Sequence, residues 1–237
     1  MKKQKLLLLP GLDGTDVFLR PLMEALQPKL ETIVVSFPNS RLNDYESLLE
    51  FVGQTTENLT EMYVLGSSFS GPLAVKLAAA NPERVKGLIL SATFVTSPRP
   101  RLSHFRFAMR TPVLAALRLI RRLPVWLGHA PSDPLRMAKA ETWTRVTSTA
   151  LAVRTRALLA VDVRSELRRC QQPLLCMTFD NDNVVSPQSS EEILREAPHA
   201  RRATLPGKHF THFHNPAPVA QAILSFIAEN EDSAAQD

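Results

Sequence analysis

Ser68 stands in the run Tyr63-Val-Leu-Gly66-Ser67-Ser68-Phe69-Ser70-Gly71, where an apolar stretch gives way to small residues and then to an alanine-rich segment. A serine hydroxyl becomes a useful nucleophile only when a base takes its proton, and the base must be held in one tautomer by a third group. Both partners follow along the chain, in the order serine, carboxylate, histidine. Asp180 and Asp182 lie in Phe179-Asp-Asn-Asp-Asn-Val-Val-Ser-Pro187, and His209 lies in Leu205-Pro-Gly-Lys-His-Phe210. Each segment follows an apolar run that reads as a strand, so the three groups would leave strand ends together. Gly66 and Ser70 flank Ser68 two residues away on each side. This is a Gly-x-Ser-x-Gly pattern with serine at its last position, suited to a sharp strand-to-helix turn that lifts one hydroxyl above a sheet edge. A serine-rich phosphate-binding turn at a helix N-terminus is the competing chemistry, and the strand-then-helix context favours the nucleophile.

A further segment, Leu9-Pro-Gly11-Leu12-Asp13-Gly14-Thr15, follows the first expected strand. Its two glycines leave backbone N–H groups free to converge on one point. In an architecture of this kind, the loop after that strand and the residue after the nucleophile each supply one donor to a developing oxyanion. That assigns the N–H groups of Leu12 and Phe69. Asp13, in a glycine-flanked turn, is expected to bond its own loop, and it precedes Ser68, so it falls outside the serine–acid–histidine order.

Only 8 glycines occur in 237 residues, and Gly11, Gly14, Gly66, Gly71 and Gly207 fall in just three of these segments. The elements that must position them alternate. Apolar or β-branched runs at Lys5–Leu9, Thr32–Phe37, Met62–Leu65, Gly87–Phe94, Pro173–Phe179 and Ala200–Leu205 predict strands. Asp16–Leu30, Asp44–Asn58, Ser70–Ala80, Gln188–Glu196 and Pro216–Glu229 carry helical periodicity. Helices between apolar strands imply crossover connections and a parallel sheet covered on both faces. The expected fold is therefore α/β: a mostly parallel sheet of about six strands, helices on both faces, and a helical lid inserted after the fourth strand. Residues 1–96 and 171–230 would form the core, 97–170 the lid with its return helix, and 231–237 a disordered polar tail.

The inserted segment is strongly basic. Residues 95–170 carry a net +11 against −6 for the remainder of the chain, and nearly all of the cations are arginine. Part of this solvates the outer faces of short helices; the excess would steer acidic partners, and arginine suits phosphate and carboxylate forks. No zinc-finger, helix-turn-helix or aromatic RNA-binding signature accompanies the charge, which argues against nucleic acid. Cys170 and Cys176 are too few for a disulfide framework and lack metal-ligand spacing; they read as one surface thiol and one buried hydrophobe. His209, His212 and His214 are spaced like a metal cluster but lack an evident carboxylate or cysteine pair. His104, His129 and His199 read as solvent-facing or structural. Neither a secretory signal nor an apolar run of about 20 residues is visible, which predicts a cytoplasmic chain.

These segments together resemble the α/β-hydrolase superfamily, over nearly the whole chain. Gly-Ser-Ser-Phe-Ser-Gly and Pro-Gly-Leu-Asp-Gly-Thr look like those of small bacterial carboxylesterases, and the basic insertion resembles the lid of the pimeloyl-acyl-carrier-protein methyl ester esterases. The resemblance implies Asp182, just before a Val-Val-Pro-like step, as the acid and His209, in a Gly-x-His-Phe context, as the base. It implies hydrolysis of a carboxylic ester through an acyl-enzyme, with no cofactor and no metal. Two features depart from the family: Phe179 stands where a glycine commonly precedes the acid turn, and Pro10 where many members have histidine. The chain begins at what is usually the third strand, which implies a trimmed sheet. Phe105, Phe107, Met109, Leu114, Leu117, Trp126 and Trp143 would either line an acyl pocket or pack the lid. The expected partners are a small-molecule or carrier-bound acyl ester and an acidic acyl carrier protein met by the arginines. Stable membrane insertion is not expected, and the chain would act as a monomer or homodimer. Thioester hydrolysis or acyl transfer would use the same residues, and a non-catalytic ligand-binding protein on this fold is the rival of another class.

Overall fold

The computed structural model describes residues 3–99, 111–113, 115 and 133–234. The elements run β1 (Lys5–Leu9), α1 (Arg20–Leu26), β2 (Glu31–Val34), α2 (Tyr45–Thr55), β3 (Met62–Ser67), a 3₁₀ turn at Ser68–Ser70, α3 (Gly71–Ala80) and β4 (Val85–Ser91). They continue with α4 (Pro134–Arg145), α5 (Ser148–Ala160), α6 (Arg164–Arg169), β5 (Leu174–Phe179), α7 (Pro187–Glu196), β6 (Arg201–Leu205), α8 (Thr211–His214) and α9 (Pro216–Ala234). The six strands form one sheet in the order β2-β1-β3-β4-β5-β6, with every pairing parallel.

Two-sided burial explains why the strands read as unbroken apolar runs. On β1, Leu7 and Leu9 join a core with Val52 of α2, Leu73 and Leu77 of α3, Leu167 of α6 and Ile193 of α7. Leu6 and Leu8 point the other way, onto Leu22 and Leu26 of α1 and Val219, Ile223 and Phe226 of α9. Strand β3 alternates in the same sense, with Val64 on the first face and Tyr63 and Leu65 on the second. Because all strands are parallel, the ends of β1, β3, β5 and β6 open on one side of the sheet, where a site in such folds is built.

Three expectations are corrected. The segment assigned to the lid does not stay outside the core to its end: Val161, Val163, Leu167 and Cys170 are buried in the first core, and α6 is a cover helix of the sheet. Cys170 is therefore not a surface thiol; both cysteines are buried, and burial pushes their thiols up to about 11 at Cys170 and about 12 at Cys176. The final helix continues to Ala234, so the polar tail does not begin at Glu231, whose carboxylate accepts bonds from Gln4 and Tyr63. Residues 235–237 lie outside the described residues, as do His104, His129, Phe105, Phe107, Met109, Leu114, Leu117, Trp126 and Arg101, Arg106, Arg110, Arg118, Arg121 and Arg122. Among the described residues, no helix is long and apolar enough to cross a membrane.

Candidate active site

Ser68 follows the last residue of β3 and has φ +51°, a left-handed conformation that a non-glycine residue adopts at a cost of about 1–3 kcal/mol. The surrounding sequence holds it there. A Cβ at Gly66 would meet the Ser70 carbonyl oxygen at 2.6 Å and the Gly71 Cα at 2.9 Å, and one at Gly71 would meet Thr93 Oγ1 at 2.0 Å. The Thr93 hydroxyl donates to the Ser68 carbonyl. Tyr45 stacks on Phe69 at 4.9 Å between ring centroids, and its hydroxyl donates to the Phe69 carbonyl at 2.8 Å. Ser70, where the pattern asks for glycine, is fully buried, and its hydroxyl donates to the Pro10 carbonyl. The departure thus ties the serine turn to the loop after β1.

His209 leaves β6 through Gly207, whose φ of +136° and closeness to Thr211 Oγ1 exclude a side chain. Its Nδ1–H donates to Asp182 Oδ2 at 2.8 Å, and its Nε2 lies 3.0 Å from Ser68 Oγ. A carboxylate can only accept, so in the neutral imidazole Nε2 is the acceptor and the Ser68 hydroxyl donates to it. The side chains of Asp182 and His209 are 6% and 7% exposed. Burial alone would raise the Asp182 carboxyl; the bond from His209, its charge when protonated, and the N–H groups of Val185 and Val184 outweigh burial and hold it below the usual carboxylate range. Asp180 instead faces solvent and accepts from the Gly207 N–H at 2.8 Å.

In the loop after β1, Asp13 bonds its own turn, accepting from the Thr15 N–H at 3.0 Å and from the Thr15 hydroxyl; burial raises its carboxyl above the usual range. The Leu12 N–H has no hydrogen-bond partner among the described residues. Phe69 sits in the first turn of a helix, where leading N–H groups lack an intrahelical acceptor. Gly11, Leu12, Ser68 and His209 open onto a cavity of about 590 Å³, whose walls include Phe18, Phe94, Trp143, Val146, Leu151 and Leu158. Trp143, of the inserted segment, therefore faces the cavity.

The three histidines at 209, 212 and 214 do not converge. His212 is buried with Nδ1 unpartnered, His214 is exposed, and among the described residues no three His, Cys, Asp or Glu side chains are placed to hold a metal ion. His199 is exposed.

The pattern of the serine aminopeptidase S33 family matches residues 31–213. The chain belongs to that family and is an α/β hydrolase. Solved structures of the same fold include a hydrolase from Pseudomonas aeruginosa PA01 (TM-score 0.76, 22% identity, 95% of this chain and 90% of that one). A carboxylesterase from Nitrososphaera gargenis (0.80, 16%, 98% and 92%) and a thermophilic esterase from Thermogutta terrifontis (0.80, 18%, 97% and 91%) also superpose. A curated relative, the chloroplastic phytyl ester synthase 1 of Arabidopsis thaliana, is 31% identical over 144 residues, 56% of this chain; the chain matches only 19% of that protein's length.

Sequence reasoning about this α/β hydrolase missed Tyr45, Thr93 and, above all, Arg154. Read as one of many lid cations, Arg154 is fully buried. The signal was its place on α5, four residues after Ala150, three after Leu151 and four before Leu158, on a stripe that otherwise faces inward. Other inserted arginines also have internal partners: Arg145 pairs with Asp16 at 2.7 Å, Arg164 with Asp162 at 2.6 Å and Arg168 with Glu196 at 2.7 Å.

Proposed function

We propose that this α/β hydrolase cleaves carboxylic esters through an acyl-enzyme. Ser68 attacks the acyl carbon while His209 takes its proton at Nε2. Asp182 holds the imidazole in that tautomer and stabilises its charged form. The N–H groups of Leu12 and Phe69 receive the oxyanion, His209 returns the proton to the leaving alcohol, and water then releases the acid. The observation that carries this reading is the unbroken chain Asp182 Oδ2–His209–Ser68 Oγ, at 2.8 and 3.0 Å, opening onto an apolar cavity of about 590 Å³. Apart from Arg99 and Lys139, the cavity's walls are largely apolar and suit an acyl chain. An aminopeptidase must also hold a free amino group; the one carboxylate among the described lining residues is Asp13, already committed to Thr15. The likeness to a phytyl ester synthase favours a second reading, in which an alcohol replaces water in the second half-reaction.

Initial rates on p-nitrophenyl acetate, butyrate, octanoate and palmitate test the reading, with Ser68→Ala protein run beside each. The variant is expected to lose about 10⁴-fold or more in kcat. Equal rates in both proteins would overturn it. Repeating the best ester with a long-chain alcohol present separates hydrolysis from transfer by the product formed, free acid or new ester. An amino-acid p-nitroanilide turned over faster than every ester would assign the chain to peptide chemistry instead.

A further inference from the structure

Among the described residues, Arg154 is the only Lys, Arg, Asp or Glu in the buried class, with none of its surface exposed. Its partners are neutral. Nε donates to Asn43 Oδ1 at 2.7 Å, one terminal nitrogen donates to the carbonyls of Asp13 at 2.7 Å and Leu12 at 3.2 Å, and the other donates to the Pro38 carbonyl at 3.1 Å. The guanidinium carbon lies 5.4 Å from the centre of the Phe37 ring. No carboxylate lies within ion-pair distance among the described residues. The Asp13 carboxylate, beyond ion-pair distance, offsets only part of the burial that lowers the Arg154 guanidinium to about 10. Burying a cation with no direct ion pair is expensive, and apolar residues of similar volume would stabilise a core at least as well. The gain must lie in what the fork holds.

It holds the turn Gly11-Leu12-Asp13-Gly14, closed by the Gly14 N–H donating to the Gly11 carbonyl at 2.9 Å. Closure leaves the two central carbonyls, those of Leu12 and Asp13, without partners inside the turn, and these are the two that Arg154 takes. Gly14 leaves room for the fork: at φ +68°, a Cβ there would lie 2.3 Å from an Arg154 nitrogen. Asn43, itself fully buried, braces the far side by donating to the carbonyls of Pro38 and Ser40 at 2.9 and 3.0 Å. One side chain from α5 thus locks together the loop after β1, the loop after β2 and the inserted segment.

We propose that Arg154 is a positioning residue of the reaction: by fixing the Leu12 and Asp13 carbonyls it aims the Leu12 N–H at the substrate oxygen that becomes negative. The inference rests on the ester-cleavage reading above, in which that N–H is an oxyanion donor. A donor must sit at hydrogen-bond distance from the oxyanion to act, and a 1 Å misplacement costs about 10²-fold in rate.

The test compares wild type with Arg154→Gln, Arg154→Lys and Asn43→Ala, with active sites titrated to completion by a fluorophosphonate. Three quantities are read: kcat per titrated site with KM on the best p-nitrophenyl ester, affinity for an alkylboronic acid, which forms a tetrahedral adduct on Ser68, and affinity for the product carboxylate. Arg154→Gln is expected to lose about 10²-fold in kcat with KM within about threefold. Boronate affinity should fall by the same factor while carboxylate affinity holds. Arg154→Lys should recover part of the loss, and Asn43→Ala should lose less than Arg154→Gln. Wild-type kcat per site, or boronate binding unchanged, in a folded Arg154→Gln protein would overturn the proposal. Should both Arg154 variants fail to fold, Asn43→Ala is judged by the same two criteria. Ser68→Ala losing turnover while Arg154→Gln keeps it would remove this inference alone; Ser68→Ala keeping turnover would remove the ester reading with it.

Discussion

At Asp182 each carboxylate oxygen is committed: Oδ2 to His209 Nδ1–H, and Oδ1 to the N–H groups of Val184 and Val185 at 2.8 and 3.0 Å. An amide at 182 must turn its oxygen to the two N–H donors. Its NH₂ then faces Nδ1, which has to accept, so the ring proton moves to Nε2 and the imidazole can no longer take the Ser68 proton. Asp182→Asn is therefore expected to lower kcat by about 10⁴-fold. Asp180→Asn should lose less than about tenfold, because an amide oxygen still accepts the Gly207 N–H. Steady-state rates on one ester decide it, and the reverse ranking would move the acid to Asp180. The sequence Phe-Asp-Asn-Asp-Asn held both candidates. Between them only the family resemblance, through the Val-Val-Pro-like step, favoured Asp182. The turn that carries it toward His209, closed by the Asp182 N–H to the Phe179 carbonyl at 3.2 Å, shows only in the structure, whereas Ser68 and His209 each had a single suitable neighbourhood.

Strands and helices were legible because a doubly covered parallel strand is apolar at every position and its crossover helix is periodic. Their ends were less so. The helix expected from Asp16 starts at Arg20, since residues 16–19 turn on the Asp16 carbonyl, which accepts from Leu19 at 2.8 Å. α6 was hidden because Arg-Ser-Glu-Leu-Arg-Arg buries only Leu167 of its own length, and the contacts that make it a cover helix come from Val163 and Cys170 at its flanks. The four-residue α8 was also missed. It buries His212 beside Phe179, and its imidazole is pushed down to about 3, chiefly by burial and secondarily by His209, with Asp182 pulling the other way. An imidazole that stays neutral when folded but protonates near 6.5 when unfolded makes the unfolded chain bind more protons at any pH between those values. Its contribution is present above about pH 6.5 and is lost as the pH falls toward 3. Between pH 7 and pH 5 this amounts to about 2 kcal/mol. Because Nδ1 is unpartnered, His212→Phe breaks no hydrogen bond made there, and its stability should fall less over that interval than wild type's. Urea midpoints of both proteins at pH 7 and pH 5 measure the difference; parallel falls would show that His212 is not what titrates.

Across the whole molecule, the two ends of the sheet carry separate duties. Ser68, Asp182, His209 and the Leu12 loop lie where β3, β5, β6 and β1 end, and their strain is borne by Thr93, Tyr45, Ser70 and Arg154 around them. At the opposite end, Glu231 of α9 accepts from the Tyr63 hydroxyl at 2.7 Å and from Gln4 at 2.5 Å, and pairs with Lys86 at 2.5 Å. It thereby ties the last helix to β3, β4 and the residue before β1. Burial, with the carboxylate second, pushes the Tyr63 hydroxyl far above its usual range, so it remains a donor. Glu231→Ala would leave that fully buried side chain with its hydroxyl unpaired, a loss of about 1–3 kcal/mol, seen as a fall of several degrees in Tm for a chain of this size. Tyr63 is four residues before Ser67 on the same strand, roughly 13 Å away at the rise of a strand, and the strand between them is locked into the sheet. The folded variant should therefore keep kcat per titrated site within about twofold of wild type. A matching fall in kcat at temperatures well below the new Tm would mean that α9 reaches the serine turn through β3, and that the two ends of this sheet do not act independently.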